Sequence, residues 1–141
     1  MDNRAEILIV EDSKTDVFLI CEALQSALLD AAIHIVYDGE QATRFIDAAD
    51  ASDSNPRPDL VLLDMNLPRK NGDDVLKHLR ASRRSKDALV IIVSSSDAPR
   101  DLAAVANLDV ARYFRKPFDY DEFMKLGGVV KDVLSPAAGA V

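Results

Sequence analysis

Four aliphatic residues, Leu60-Val61-Leu62-Leu63, run straight into Asp64, and Pro68 follows closely. An unbroken apolar run of strand length, without polar alternation, fits a strand covered on both faces by other elements. Such a strand ends by presenting its carboxylate at the edge of a sheet. The same design recurs in the chain: Ile7-Leu8-Ile9-Val10 runs into Glu11-Asp12, and Leu89-Val90-Ile91-Ile92-Val93 runs into Ser94-Ser95-Ser96. Strands buried on both faces need helices to bury them, and the intervening segments supply candidates.

Ser13, with Asp16 three residues on, reads as the N-cap of a helix whose apolar stripe extends to Leu28. Ile33-His34-Ile35-Val36-Tyr37 alternates more and reads as an outer strand. Asp38 with Gln41 offers a capping box for a helix to about Ala49. Residues 50–58 are polar and rich in breakers, which predicts a mobile loop within one domain rather than a linker. Beyond Leu67-Pro68-Arg69-Lys70-Asn71-Gly72, a helix carrying Val75, Leu76 and Leu79 runs to about Ala81. Asp97 is expected to cap a fourth helix with Leu102, Val105 and Leu108 on its inner face, Pro99 being tolerated in the first turn. Val110 to Arg115 is a fifth strand, closed by Lys116-Pro117. Asp119 with Glu122 forms another capping box, opening a last helix through about Leu134. Gly127-Gly128 is expected to bend or fray that helix. Ser135 to Val141 reads as a disordered tail. Strands and helices thus alternate five times over residues 5–134, the pattern of a single α/β domain with a parallel sheet and helices on both faces.

Composition narrows the function. Acidic residues outnumber basic ones 24 to 17, a net charge of −7, and nucleic acid is therefore not expected as the main partner, since phosphate binding needs a basic face. Met1-Asp2-Asn3-Arg4 lacks an apolar signal core and no apolar run reaches membrane-spanning length, so a cytoplasmic location is expected, away from membranes. The single cysteine, Cys21, lies in an apolar helical stripe and reads as a packing residue. His34 and His78 are too few for a metal cage. Lys77, Arg80, Arg83, Arg84 and Lys86 cluster around the third helix and its exit, and a solvated face is favoured there over a docking patch for an acidic partner.

In open α/β sheets, ligands bind outside the carboxyl ends of the strands. At those ends stand Glu11 and Asp12 after strand one, Asp64 after strand three, Ser94 at strand four and Lys116 after strand five. If strands one and three are neighbours, three carboxylates converge, and a pair at about 4 Å repels by about 4 kcal/mol at an effective dielectric near 20. A hard divalent cation with oxygen ligands would offset that repulsion, and Mg²⁺ suits a site that also receives phosphate oxygens. Each residue alone has a plainer reading: the acids can serve a helix dipole, the serine a cap, the Lys-Pro pair a turn. Five placements at one edge favour a shared chemistry.

With Glu11-Asp12, Asp64 followed by Leu67-Pro68, Ser94, Tyr113 and Lys116-Pro117 in this order, the chain resembles a receiver domain of two-component response regulators. The resemblance implies a flavodoxin-like strand order 2-1-3-4-5. It implies Asp64 as phosphoacceptor from a sensor histidine kinase, and Mg²⁺ held by Asp12, Asp64 and the backbone carbonyl of Asn66, with Glu11 acting through a water. Lys116 would pair with the transferred group, and Ser94 and Tyr113 would act as the switch. The output would be a changed face made by the fourth helix, the fifth strand and the last helix, a face that could also form a homodimer. Such a domain is a signalling phosphoprotein that catalyses its own phosphorylation and dephosphorylation rather than an enzyme acting on other substrates.

Only seven residues follow Leu134, so a stand-alone regulator without a DNA-binding domain is expected, acting on a downstream protein or phosphotransfer partner. The 50–58 loop and the 65–72 run are similar to single-domain regulators paired with phytochrome-like kinases. Two rival readings are a haloacid-dehalogenase-like phosphatase, against which Asp64-Met65-Asn66 supplies Asn where that family places its acid, and a phosphorylation-independent interaction module, against which the intact set of acids, hydroxyl and lysine speaks.

Overall fold

The computed structural model describes residues 4–95, 103 and 106–135. Five parallel strands form one sheet in the order β2-β1-β3-β4-β5: β1 Ala5–Val10, β2 Ala31–Val36, β3 Leu60–Leu63, β4 Leu89–Ser94 and β5 Arg112–Arg115. Four helices are described, α1 Lys14–Ser26, α2 Gly39–Ala51, α3 Gly72–Arg80 and α4 Tyr120–Leu134. Residues 97–102, 104 and 105 of the expected fourth helix and residues 136–141 of the expected tail lie outside the described residues.

The aliphatic runs are explained by burial on two sides. Alternate residues of a strand point to opposite faces, and here Ile7, Ile9, Leu60, Leu62, Ile91 and Val93 join Ile20, Leu24, Phe123 and Leu126 of α1 and α4 in one core. Leu8, Val10, Val61, Leu63, Val90 and Ile92 join Ile46, Val75, Leu76 and Leu79 of α2 and α3 in the other. Both sets must be apolar, so no alternation shows in the sequence. The outer strands differ: Ile33 and Ile35 of β2 are partly exposed, as are the flanking residues of the four-residue β5.

The register then aligns the strand ends. Val10 pairs with Leu63 and Ser94 with Arg115, so Glu11 and Asp64 emerge side by side and Lys116 follows directly after the residue beside Ser94. The Asp64 amide donates to Val10 O at 3.1 Å and the Lys116 amide to Ser94 O at 2.9 Å, carrying the ladder one step beyond the strands.

Three expectations need correction. First, the basic cluster is only partly a solvated face. The Arg80 guanidinium donates to the carbonyls of Leu108, Lys86, Ala88 and Asp109 at 2.6–2.8 Å. Arg84 donates to Ala49 O, Ser52 O and Asn55 O at 2.6–2.9 Å. A guanidinium fork satisfies several carbonyls that helix ends and loops leave without partners. Second, the 50–58 loop is tied down by that fork and by Asn55, whose amide reaches Ala48 O at 2.9 Å. Asp50 completes the lock by accepting from the Arg84 and Arg83 amides and the Ser82 hydroxyl; the Arg84 bond, foremost, holds its carboxyl below the usual range. Third, α4 runs unbroken through Gly127-Gly128. Gly127 abuts Ala23 O of α1, where a Cβ would collide, so it is a crossing contact between helices, whereas Gly128 faces open space. Cys21 packs against the α1/α4 core and burial pushes its thiol up, consistent with the packing role expected of it.

Candidate functional site

The N-caps show how the first acidic side chain is aimed. Ser13 caps α1 by accepting from the Asp16 amide at 3.2 Å, as expected. The reciprocal half of a capping box, in which the third helical residue reaches back to the cap amide, is absent here. The Ser13 amide instead donates to Glu11 Oε2 at 3.1 Å, and Asp16 turns to Lys116. Asp38 and Asp119 likewise cap forward, to Gln41 and Glu122, while the side chains of Gln41 and Glu122 go to the Tyr37 amide and Lys125.

At the carboxyl edge of the sheet the structure brings together Glu11, Asp12, Asp64, Ser94 and Lys116. One carboxylate oxygen from each of Glu11, Asp12 and Asp64 lies within 4.8 Å of the others, with Asp12 exposed and the other two buried. Asp64 is gripped at both oxygens. Oδ1 accepts from the Asn66 amide at 3.0 Å and from the Ser94 hydroxyl at 3.3 Å, and Oδ2 accepts from Lys116 Nζ at 3.1 Å. The start of α3 comes so close to this backbone that a Cβ on Gly72 would meet Asp64 O and Met65 Cα, which explains a glycine there.

Lys116 Nζ is the hub. Besides Asp64 it lies 2.7 Å from Glu11 Oε1 and 2.8 Å from Asp16 Oδ2. Burial works against its charge, but the bonds from Asp16 and Glu11 and the charge of Asp64 outweigh it and hold the ammonium well above its ordinary range. Glu11, 1% exposed, is pushed up to about 7, first by burial and then by the charge of Asp64, against the pull of Lys116. A buried carboxyl beside a second carboxylate, with one lysine between them, is a site that a further cation would relieve. The three clustered carboxylates fit a divalent metal on those grounds: hard oxygen donors, close together, with unrelieved charge.

The remaining sequence candidates are placed as follows. Asn66 enters the recorded geometry through its amide rather than its carbonyl. Tyr113 sits in β5 opposite Ile92 and is half-buried against the α2/α3 core, not in the acidic cluster. Asp16 belongs to the site, although its place in the sequence marks it only as a capping residue. A carboxylate in the first turn of a helix has an ordinary role, and only its distance to Lys116 reveals the other.

Residues 7–126 match the family model of the response regulator receiver domain. The chain belongs to that family. Among curated receiver proteins it is 34% identical over 120 residues to response regulator Rcp1 of Synechocystis, covering 85% of this chain and 82% of that protein. To the transcriptional regulatory protein CpxR of Escherichia coli it is 32% identical, covering 84% of this chain but 46% of that one. Among solved structures, the phosphorylated cyanobacterial phytochrome response regulator RcpA superposes with a TM-score of 0.84 at 31% identity, covering 94% of this chain and 95% of that one. The Mn²⁺-bound form of Rcp1 gives 0.79 at 32% identity, covering 91% and 92%. The receiver fold, with strand order 2-1-3-4-5, is the one that the family resemblance implied.

Proposed function

We propose that this receiver domain is a phosphorylation switch in which Asp64 takes a phosphoryl group from the phosphohistidine of a sensor kinase. A carboxylate oxygen of Asp64 forms the new P–O bond, the histidine N–P bond breaks, and its electron pair stays with the imidazole. One observation carries the reading: Asp64 is held at Oδ2 by Lys116 and at Oδ1 by the Ser94 hydroxyl and the Asn66 amide, beside Glu11 and Asp12. These donors are positioned to take up charge on a transferred phosphoryl group, and phosphoryl transfer depends chiefly on such positioning and neutralisation. Asp12, Asp64, the Asn66 carbonyl and, through a water, Glu11 would hold Mg²⁺. When bound, the ion supplies charge neutralisation for the phosphoryl oxygens.

The chemistry acts on the domain's own carboxylate, with slower hydrolysis returning it, and not on a succession of outside substrates. Ser94 and Lys116 then draw toward the new dianion, and Tyr113 repacks to alter the face made by β5 and α4, which a downstream protein, a phosphotransfer partner or a second copy would read. The likeness to the phytochrome response regulator RcpA favours a phytochrome-like kinase as donor. Incubation with Mg²⁺ and acetyl phosphate, read by intact mass, tests the assignment. A single base-labile phosphoryl adduct is expected on the wild type and none on Asp64→Asn; an undiminished adduct on the variant would sink it.

A further inference from the structure

Lys116 has three N–H donors and no more, and three carboxylates surround it: Glu11 at 2.7 Å, Asp16 at 2.8 Å and Asp64 at 3.1 Å. Two of its donors are hydrogen-bonded, to Asp16 and Asp64, and Glu11 adds a close ion pair, so an arriving phosphate oxygen competes with these carboxylates for the ammonium. Glu11 and Asp64 belong to the acidic cluster that a divalent cation would relieve, whereas Asp16 does not. It stands in the first turn of α1, where its carboxylate accepts from Lys116. Its carboxylate is also not consumed by the helix cap, since the cap bond runs to its amide. Asp16 and Lys116 together line a cavity of about 550 Å³.

We propose that Asp16 is a positioning residue acting through Lys116: it competes with the phosphoryl group for the ammonium and so sets how readily Asp64 is phosphorylated and how long the phosphate stays. This rests on Asp64 being the acceptor. In the phosphorylated protein the Asp16 carboxylate faces a phosphoryl dianion across one shared cation, a like-charge pair that favours the unphosphorylated state. Asp16→Asn keeps the helix start and an oxygen for the lysine but removes the charge.

The test uses Mg²⁺ with acetyl phosphate, in which the Asp64 oxygen forms the P–O bond and acetate leaves with the electron pair. At low ionic strength Asp16→Asn should gain the adduct about three- to tenfold faster than wild type and lose it more slowly, the gap narrowing as salt screens the charges. Asp16→Glu, which restores the charge, should return to the wild-type rate. A second readout needs no metal: in EDTA, Asp16→Asn should raise the rate at which a small acylating reagent modifies Lys116, followed by peptide mass. A wild type that takes up no phosphate overturns the parent reading. A wild type that does, with Asp16→Asn no faster, overturns this one, as does unchanged Lys116 reactivity.

Discussion

The two edges of the sheet use cations in opposite ways. At the amino edge, Arg80 and Arg84 are fixed by backbone carbonyls, and Asp50 is fixed by backbone amides. Those partners are dipoles that never titrate and that no ligand displaces. At the carboxyl edge, Lys116 is shared among three carboxylates, and burial, with the charge of Asp64 behind it, pushes the Glu11 carboxyl up to about 7. One edge is held chiefly by fixed backbone dipoles. The other is kept in imbalance, and imbalance is what an incoming cation or phosphoryl group can act on.

The strongest way to break the comparison is to remove each cation and ask whether Mg²⁺ restores what was lost. Lys116→Met leaves the buried Glu11 and Asp64 without their counterion and should cost about 3–5 kcal/mol in EDTA, the range for a broken buried ion pair. Millimolar Mg²⁺ should recover much of it, because the acids themselves remain. Arg84→Ala should cost about 2–3 kcal/mol through carbonyls left without donors, and Mg²⁺ should recover none. Urea melts with and without the ion compare the two; equal Mg²⁺ responses would dissolve the distinction.

The adjacent glycines of α4 calibrate what is packing rather than charge. Gly127→Ala forces α4 away from Ala23 and should destabilise by about 1–3 kcal/mol. Gly128→Ala meets nothing and should stabilise by up to about 1 kcal/mol through helix propensity. Neither change should depend on Mg²⁺, as thermal melts would show.

The subtlest contrast is with pH. Glu11 has a folded pKa raised from 4.5 to about 7, so between those values the folded protein keeps a proton the unfolded chain has lost, and stability falls as pH rises through that window. Asp50 has a folded pKa lowered from 3.8, so its contribution is present above that value and is lost as pH falls below it. Melting temperatures across pH 3 to 8 in EDTA should slope by a few degrees in opposite directions at the two ends. Glu11→Gln should flatten the neutral limb and Asp50→Asn the acid one.

Much of the site was legible because strand ends speak locally. An apolar run followed by an acid, a hydroxyl or a lysine needs no knowledge of distant contacts, and parallel pairing places every such end at one edge. Arg80 and Arg84 were less legible, because the carbonyls they serve lie up to 35 positions away and carbonyls carry no sequence signature. Leu28 ends α1 with a φ of 59°, where glycine is the usual marker, so that boundary too had no cue. Gly127 and Gly128 look alike in sequence and differ only in what lies across the helix crossing.

The sequence by itself determined the alternation of strands and helices, the doubly covered sheet and the acids, hydroxyl and lysine at its carboxyl edge, since these follow from short-range patterns of burial and capping. Only the tertiary structure decided which partner each charge takes. Asp16 could have closed a capping box and Lys116 could have faced solvent; packing α1 beside the end of β5 set them 2.8 Å apart, because a charge pairs with whatever the fold brings within reach.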